Sequence, residues 1–353
     1  MKIPHYSKIH NRFKINSYHY DQRELTQVAY SFIKEGAPYE EVIGAFLLDW
    51  LDTSSVINVK TSGSTGVPKT IQVSKQAMVH SAVLTGEYFG LEAGNRALNC
   101  LPVDYIAGKM MLVRAMILGL DMHMIEPRIE LSSFEGNYDF CAMIPLQAKN
   151  TLPKIRQIKT LLIGGAPISS SLRAALATAP LDAYETYGMT ETLTHIAVSK
   201  IVVPQQPFEV LPEIRIATDA DDCLQIEAPH LSSTPIQTED IVSLVDAQRF
   251  TLVGRKNNRV NSGGKKLFPE LLEQELGDIG MPFFFAAQPD SDLGEKLVLL
   301  VASETETPFT IRKKFSAVFE SESFRFLKEI YTLPSFKYTP TGKIDRPSTL
   351  KLL

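Results

Sequence analysis

Hydroxyl-bearing residues crowd one short run of this chain, Thr61-Ser62-Gly63-Ser64-Thr65-Gly66-Val67-Pro68-Lys69-Thr70. Four of its first five residues carry a hydroxyl, two glycines let a ligand approach the backbone, and Lys69 adds a point charge. Several N–H and O–H donors around one cation suit a triphosphate. The fifth residue after Gly63 is Pro68, so the spacing is not that of a GxxxxGK[ST] loop. Taken alone, the run also fits a flexible Ser/Gly linker.

A second dense run is Tyr184-Glu185-Thr186-Tyr187-Gly188-Met189-Thr190-Glu191-Thr192. Glu191 beside Thr190 offers the oxygen ligands that Mg²⁺ prefers, and Tyr187 beside Gly188 could set a ring against a flat base. The plainer reading is a solvent-facing turn. Gly164-Gly165-Ala166-Pro167 closes an apolar run at 160–163. Open α/β sheets place ligands at such strand ends, although Gly-Gly also marks an ordinary turn.

Asp240, just before an apolar run, could accept from both hydroxyls of a ribose or simply cap a turn. Arg255, after Gly254, suits a bidentate phosphate contact. Ser262-Gly263-Gly264-Lys265-Lys266 is a second glycine loop, and Lys343 sits in the tight turn Thr339-Pro340-Thr341-Gly342-Lys343-Ile344. A lone turn lysine is ordinarily a solvated charge.

The elements around these runs follow from apolar spacing. Residues 56–60, 97–101, 122–125, 140–144 and 160–163 read as strands, and 110–118 and 170–177 as helices. Ser74 is placed to cap a helix bearing Met78, Val79, Ala82 and Val83 on one face. This alternation predicts an α/β sheet. After Pro204 the texture changes to short strands at 214–217, 224–227, 241–245 and 250–253, a β-rich subdomain. Residues 255–266 read as a hinge or linker. Pro269 opens a helix that Gly277 ends, within a small C-terminal α+β unit.

A length of 353 residues implies two to three domains and a substantial core. The net charge of −4 argues against a general polyanion binder, so no nucleic-acid partner is expected. Cys100, Cys141 and Cys223 are far apart and outside any CxxC, which disfavours a disulfide framework or a structural zinc site. Lys2, Lys8, Arg12 and Lys14 precede no apolar stretch, and the apolar run 110–120 is short and broken by Arg114. Neither a secretory signal nor a membrane span is expected, and cytoplasm is the default.

In this order and spacing, the runs resemble the adenylate-forming enzyme superfamily, which includes acyl-CoA synthetases, luciferases and peptide-synthetase adenylation domains. The likeness is collinear from about Val59 to Arg346. It implies that residues 61–69 are a phosphate loop, that 164–167 and 185–191 meet adenine, α-phosphate and metal, and that Asp240 holds the ribose. It implies further that 254–269 contain a hinge at Asn258, where relatives carry Asp or Lys, and that Lys343 catalyses adenylation. The domains implied are an AMP- and acyl-binding α/β domain over 1–257 and a mobile C-terminal domain over 258–353.

Within the superfamily the likeness is to short-form o-succinylbenzoate-CoA ligases of menaquinone biosynthesis, with only 60 residues before Thr61. ATP, Mg²⁺ and CoA are the implied cofactor and co-substrates, and a small carboxylic acid the implied partner. The oligomer stays open between monomer and homodimer. Tyr105, Lys109, Thr194 and His195 are candidates for the acid pocket, with His195 alternatively a strand residue satisfied by backbone. Ser262, Gly263 and Gly264 are candidates for the CoA path, whereas Lys265 and Lys266 read as a solvated pair. Ligation of another aryl or short-chain acid, delivery to a carrier-protein thiol, and a non-catalytic nucleotide binder are the competing readings.

Overall fold

The computed structural model describes residues 2–60, 70–131, 134–339 and 344–353. Two compact units emerge: residues 1–168, 172–215 and 227–236 form the first, and 169–171, 216–226 and 237–353 the second. The first begins with β1 (Lys14–Ile15), β2 (Tyr18–His19), α1 (Gln22–Glu35) and α2 (Pro38–Leu51). The apolar spacing announced neither helix, yet both have local starts. Asp21 Oδ1 accepts from Glu24 N at 2.8 Å and Glu24 Oε2 from Asp21 N at 2.8 Å, a reciprocal cap for α1. Pro38 opens α2. The helices touch closely at Gly44, where a Cβ would lie 2.4 Å from the carbonyl oxygen of Ala29.

β3 (Val56–Lys60) and β4 (Thr70–Ser74) pair antiparallel with Lys60 opposite Thr70. Thr61, Ser62, Gly63, Ser64, Thr65, Gly66 and Lys69 lie between them, outside the described residues. α3 (Lys75–Phe89) starts as expected, with Ser74 Oγ accepting from Ala77 N at 3.3 Å. Then come β5 (Arg96–Asn99), α4 (Ile106–Leu118), β6 (Asp121–Met124), β7 (Tyr138–Met143), α5 (Pro145–Thr151), β8 (Ile158–Ile163), α6 (Ser170–Ala177), β9 (Asp182–Gly188), β10 (His195–Lys200) and β11 (Phe208–Val210).

In the first unit these strands lie in the order β11-β10-β9-β8-β7-β5-β6-β1-β2. β9, β8, β7, β5, β6 and β1 run parallel, while β10 is antiparallel to β9. Adjacent strand residues serve opposite faces. Ala97, Phe140 and Leu162 join α3 and α4 in one apolar cluster, while Leu98, Cys141 and Leu161 join α5 and α6 in another. Helices on both faces explain why the strands read as unbroken apolar runs. In α4 every residue from Gly108 to Leu118 is buried, so it carries no amphipathic stripe.

β12 (Arg215–Thr218), β13 (Cys223–Glu227), β14 (Ile236–Leu244) and β15 (Arg249–Arg255) form the β-rich portion, in that order. β16 (Val260–Ser262) and β17 (Lys265–Leu267) follow, then α7 (Pro269–Leu276), β18 (Phe283–Asp290), β19 (Gly294–Ala302), α8 (Pro308–Lys314), α9 (Ser316–Phe319), β20 (Leu327–Leu333) and α10 (Arg346–Leu350). The strands order as β17-β16-β19-β18, with β20 parallel to β19. Leu272, Phe285, Leu297, Leu299, Ile311 and Phe324 are the centre of the C-terminal core.

Residues 255–266, read as a hinge or linker, carry regular structure. A 3₁₀ turn at Lys256–Asn258 leads into the β16–β17 hairpin, whose Gly263 (φ 57°) and Gly264 (φ 79°) adopt the left-handed backbone of a two-residue turn. α7 has the expected bounds, with Gly277 at φ 70° ending it. Among the described residues no helix is long and apolar enough to cross a membrane.

Candidate active site

Strands β5, β7, β8 and β9 end on one edge of the parallel sheet, where open α/β folds bind ligands. Gly164, Gly165, Ala166 and Pro167 leave β8 there. Gly164 N donates to Met143 O at 3.2 Å, and Gly165 takes φ 85°. A Cβ on Gly164 would lie 2.3 Å from Thr186 Oγ1, which donates to Ile163 O at 3.2 Å. The tips of β8 and β9 are therefore locked together by a glycine and a threonine.

The run 184–192, with a turn as its plainer reading, is strand as far as Gly188. Alternation along β9 puts Glu185 and Tyr187 on one face and Thr186 on the other. Glu185 forms a buried ion pair with Arg173 of α6 and accepts from Gln205 Nε2 at 3.3 Å, so its carboxylate supports the strand end. Tyr187, expected against a base, is buried with its ring 6.0 Å from that of Phe208. At Gly188 a Cβ would sit 2.1 Å from the carbonyl oxygen of Thr194, so β9 and β10 approach as closely as backbones allow.

Thr190 and Glu191 follow in a 3₁₀ turn, Thr190–Thr192. Thr192 Oγ1 fixes this turn by accepting from Met189 N at 2.9 Å and donating to Thr194 O at 2.8 Å. Glu191 is exposed and in no ion pair among the described residues. A free carboxylate next to a hydroxyl at a ligand-binding edge is a donor set that suits Mg²⁺.

The acid-pocket candidates separate into two groups. Tyr105 is the half-buried residue preceding α4. Lys109, offered as a carboxylate donor, lies with Nζ 5.0 Å from the Phe46 ring centre. Burial pulls its pKa down, opposed by Asp104 and Asp49. Thr194 and His195, in contrast, meet Arg114, a residue singled out only as a break in an apolar run. Arg114 is buried, donates from Nη2 to Thr194 Oγ1 at 3.1 Å, and has Nε without a partner. Ser81 Oγ lies 3.4 Å from the same Thr194 hydroxyl.

Burial alone draws the Arg114 guanidinium down to about 9, so it stays charged at pH 7. Among the described residues no carboxylate neutralises it. The charge that breaks the apolar run 110–120 was the available sequence signal. His195 is not satisfied by backbone through Nε2: that atom is buried and has no hydrogen-bond partner. Buried donors without partners are costly in a core, and a carboxylate would accept from Arg114 Nε and from His195 Nε2 in the tautomer protonated there.

Burial first, and the Arg114 charge second, hold His195 well below the ordinary imidazole range. The unfolded chain therefore binds a proton near pH 6.5 that the folded chain refuses, and stability falls as pH drops below that point. His195→Gln should flatten the stability profile between pH 6.5 and 5 by up to ~1.4 kcal/mol per pH unit. Urea unfolding across that range reads this directly, and parallel profiles for variant and parent would refute it.

In the second unit Asp240 and Arg255 are cross-strand partners on β14 and β15, with Arg255 Nε 3.1 Å from Asp240 Oδ1. Asp240 N donates to Thr238 Oγ1 at 3.1 Å. Asn258 Nδ2 donates to Glu270 Oε1 at 2.5 Å, while Glu270 Oε2 is buried without a partner. Ser262 is buried, Gly263 and Gly264 make the hairpin turn, and Lys265 and Lys266 are exposed. Lys343 lies outside the described residues, next to a Tyr338–Ile344 bridge.

A doubly wound sheet with glycine-rich strand ends, followed by a small α+β unit, is the architecture of adenylate-forming enzymes. The AMP-binding enzyme family matches residues 54–218. An acyl-CoA synthetase (AMP-forming)/AMP-acid ligase II-like protein from Dyadobacter fermentans is 31% identical, with 93% of this chain and 98% of that one covered and a TM-score of 0.61. This chain belongs to the AMP-binding enzyme family. A 2-succinylbenzoate–CoA ligase from Listeria monocytogenes is 25% identical over 334 residues, covering 85% of this chain and 71% of its own length. The O-succinylbenzoate coenzyme A synthetase from Bacillus subtilis, solved with ATP and magnesium ion, shares the fold at 16% identity, TM-score 0.71, over 83% of this chain and 69% of that one.

Proposed function

We propose that this chain is an ATP-dependent, AMP-forming acid–CoA ligase whose acid is 2-succinylbenzoate, as in menaquinone biosynthesis. The buried, uncompensated Arg114 beside Thr194 and His195 carries the choice of acid. A substrate with two carboxylates presents one to ATP and keeps the other, and a desolvated guanidinium is a strong, geometrically specific partner for the second.

A carboxylate oxygen of the acid attacks the α-phosphorus of ATP. A P–O bond forms, the bond to pyrophosphate breaks, and acyl-AMP results. The thiol of CoA then attacks the acyl carbon, and AMP leaves as the C–O bond breaks. The first step brings two anions together, so its catalysis is positioning and charge neutralisation. Residues 61–69 donate to the phosphates, with Lys69 as their cation. Gly164 to Pro167 and Thr186 shape the nucleotide edge, Asp240 holds the ribose with Arg255 beside it, and Lys343 neutralises the reacting oxygens. Glu191 with Thr190 would hold Mg²⁺, which supplies charge compensation to the phosphates when bound. Residues 258–353 move about Asn258 between steps, which brings Ser262, Gly263 and Gly264 to the thiol path. An enzyme consuming ATP and CoA works where both are kept, in the cytoplasm.

Acid-dependent ATP–pyrophosphate exchange tests this reading. Exchange with 2-succinylbenzoate, and thioester when CoA is added, is the expected result. Exchange with a different acid retains the chemistry and overturns the choice of acid. No exchange across a panel of aryl and short-chain acids overturns the ligase reading.

A further inference from the structure

One residue before Ser81, on α3, His80 meets two side chains that the adenylation reading leaves without a role. His80 Nε2 lies 2.8 Å from Glu213 Oε2, and its ring stacks on that of His230 at 4.4 Å between centroids and 18° between planes. One donor atom from each of the three lies within 4.8 Å of the others. All three belong to the first unit.

Each side chain is set by its own segment. His80 rides on the capped helix α3. Glu213 sits in the turn after β11, where Ile214 N donates to Leu211 O at 3.2 Å and Glu213 takes φ 69°. That left-handed backbone is strained for a residue with a Cβ. His230 occupies a second turn, closed by Leu231 N donating to Ala228 O at 2.8 Å. A plain His80–Glu213 ion pair would account for two of the residues. It does not account for His230, whose Nδ1 is buried with no hydrogen-bond partner.

We propose that His80, Glu213 and His230 form a binding site for a divalent ion of the zinc class, with water in the fourth position. Two imidazole nitrogens and one carboxylate oxygen are borderline donors that suit Zn²⁺ and not Mg²⁺ or Ca²⁺. Tetrahedral ligands about 2.0–2.1 Å from zinc lie ~3.3 Å from one another, so closing the cluster requires side-chain rotation and no backbone movement. The ion would tie α3 to both turns, one residue from the Ser81–Thr194 contact.

The test uses untagged full-length chain stripped by a chelator, titrated with Zn²⁺ alone by calorimetry, with Co²⁺ visible absorption as a second readout. One equivalent of zinc and a tetrahedral cobalt spectrum are expected, undisturbed by a tenfold excess of Mg²⁺ (~10-fold). His80→Ala and His230→Ala should each weaken zinc binding by ~100-fold or more, since even the partners of metal ligands are worth ~10–100-fold. His230→Asn, with circular dichroism to confirm folding, provides the same readout if the alanine variant is unstable. Absence of stoichiometric zinc binding, or equal binding by parent and folded histidine variants, overturns the proposal. Neither readout depends on the ligase reading.

Discussion

Arg114→Met should lower kcat/KM for 2-succinylbenzoate by ~10²–10³-fold, because a buried charged partner of a substrate carboxylate is worth about 2–5 kcal/mol. A monoacid analogue without the second carboxylate should lose far less. The contrast follows from the environment of Arg114: it is 2% exposed, and among the described residues its guanidinium holds only Thr194 and the Met111 sulfur and leaves Nε bare. Methionine has a similar length and no charge, so the same substitution should leave folding stability unchanged or raise it by about 1–3 kcal/mol. Activity lost while stability is gained is the signature of a group kept for binding. Steady-state kinetics with both acids, paired with urea unfolding, read the two halves. Equal losses for both acids would remove Arg114 from substrate recognition.

Lys343→Ala should reduce acid-dependent ATP–pyrophosphate exchange by ~10²–10³-fold, the usual effect of removing one donor aimed at developing charge. Thioester formation from supplied acyl-AMP and CoA should stay within a few-fold of the parent (~3-fold). The reasoning is chemical. A lysine neutralises the meeting of a carboxylate with an α-phosphate, but the thiol needs an open path to the acyl carbon, which a residue on a mobile unit provides by leaving. On either side of residues 340–343, Tyr338 is bridged to Ile344 and Asp345 N donates to Lys337 O at 2.8 Å. Equal loss in both half-reactions would sink the two-state movement about Asn258.

Local signals carried well from sequence to fold. The helix Ser170–Ala177, the helix Pro269–Leu276 with Gly277 after it, and the strand Val56–Lys60 have the bounds that capping residues and alternation imply. Contiguous runs such as 164–167 fell at the carboxyl end of a parallel strand, because a strand end and its turn are adjacent in the chain. The proposed acid pocket was only half legible. Thr194 and His195 stood near a recognisable run, but Arg114 is 80 residues from Thr194 and lies in a helix buried on every side, where periodicity gives no face. Tyr187 packs on Phe208 and Glu185 pairs with Arg173, partners on other elements that the run itself does not name.

The order of glycines, hydroxyls and charges along the chain determined by itself the class of chemistry, since a phosphate-binding run is built from neighbours in sequence. What only the tertiary structure decided is which charges are left without partners. Arg114, the buried Nε2 of His195 and the His80–Glu213–His230 cluster acquire meaning from residues 80 to 150 positions away. Desolvation and pairing depend on what surrounds an atom in space, and a linear sequence holds no record of that until the chain has folded.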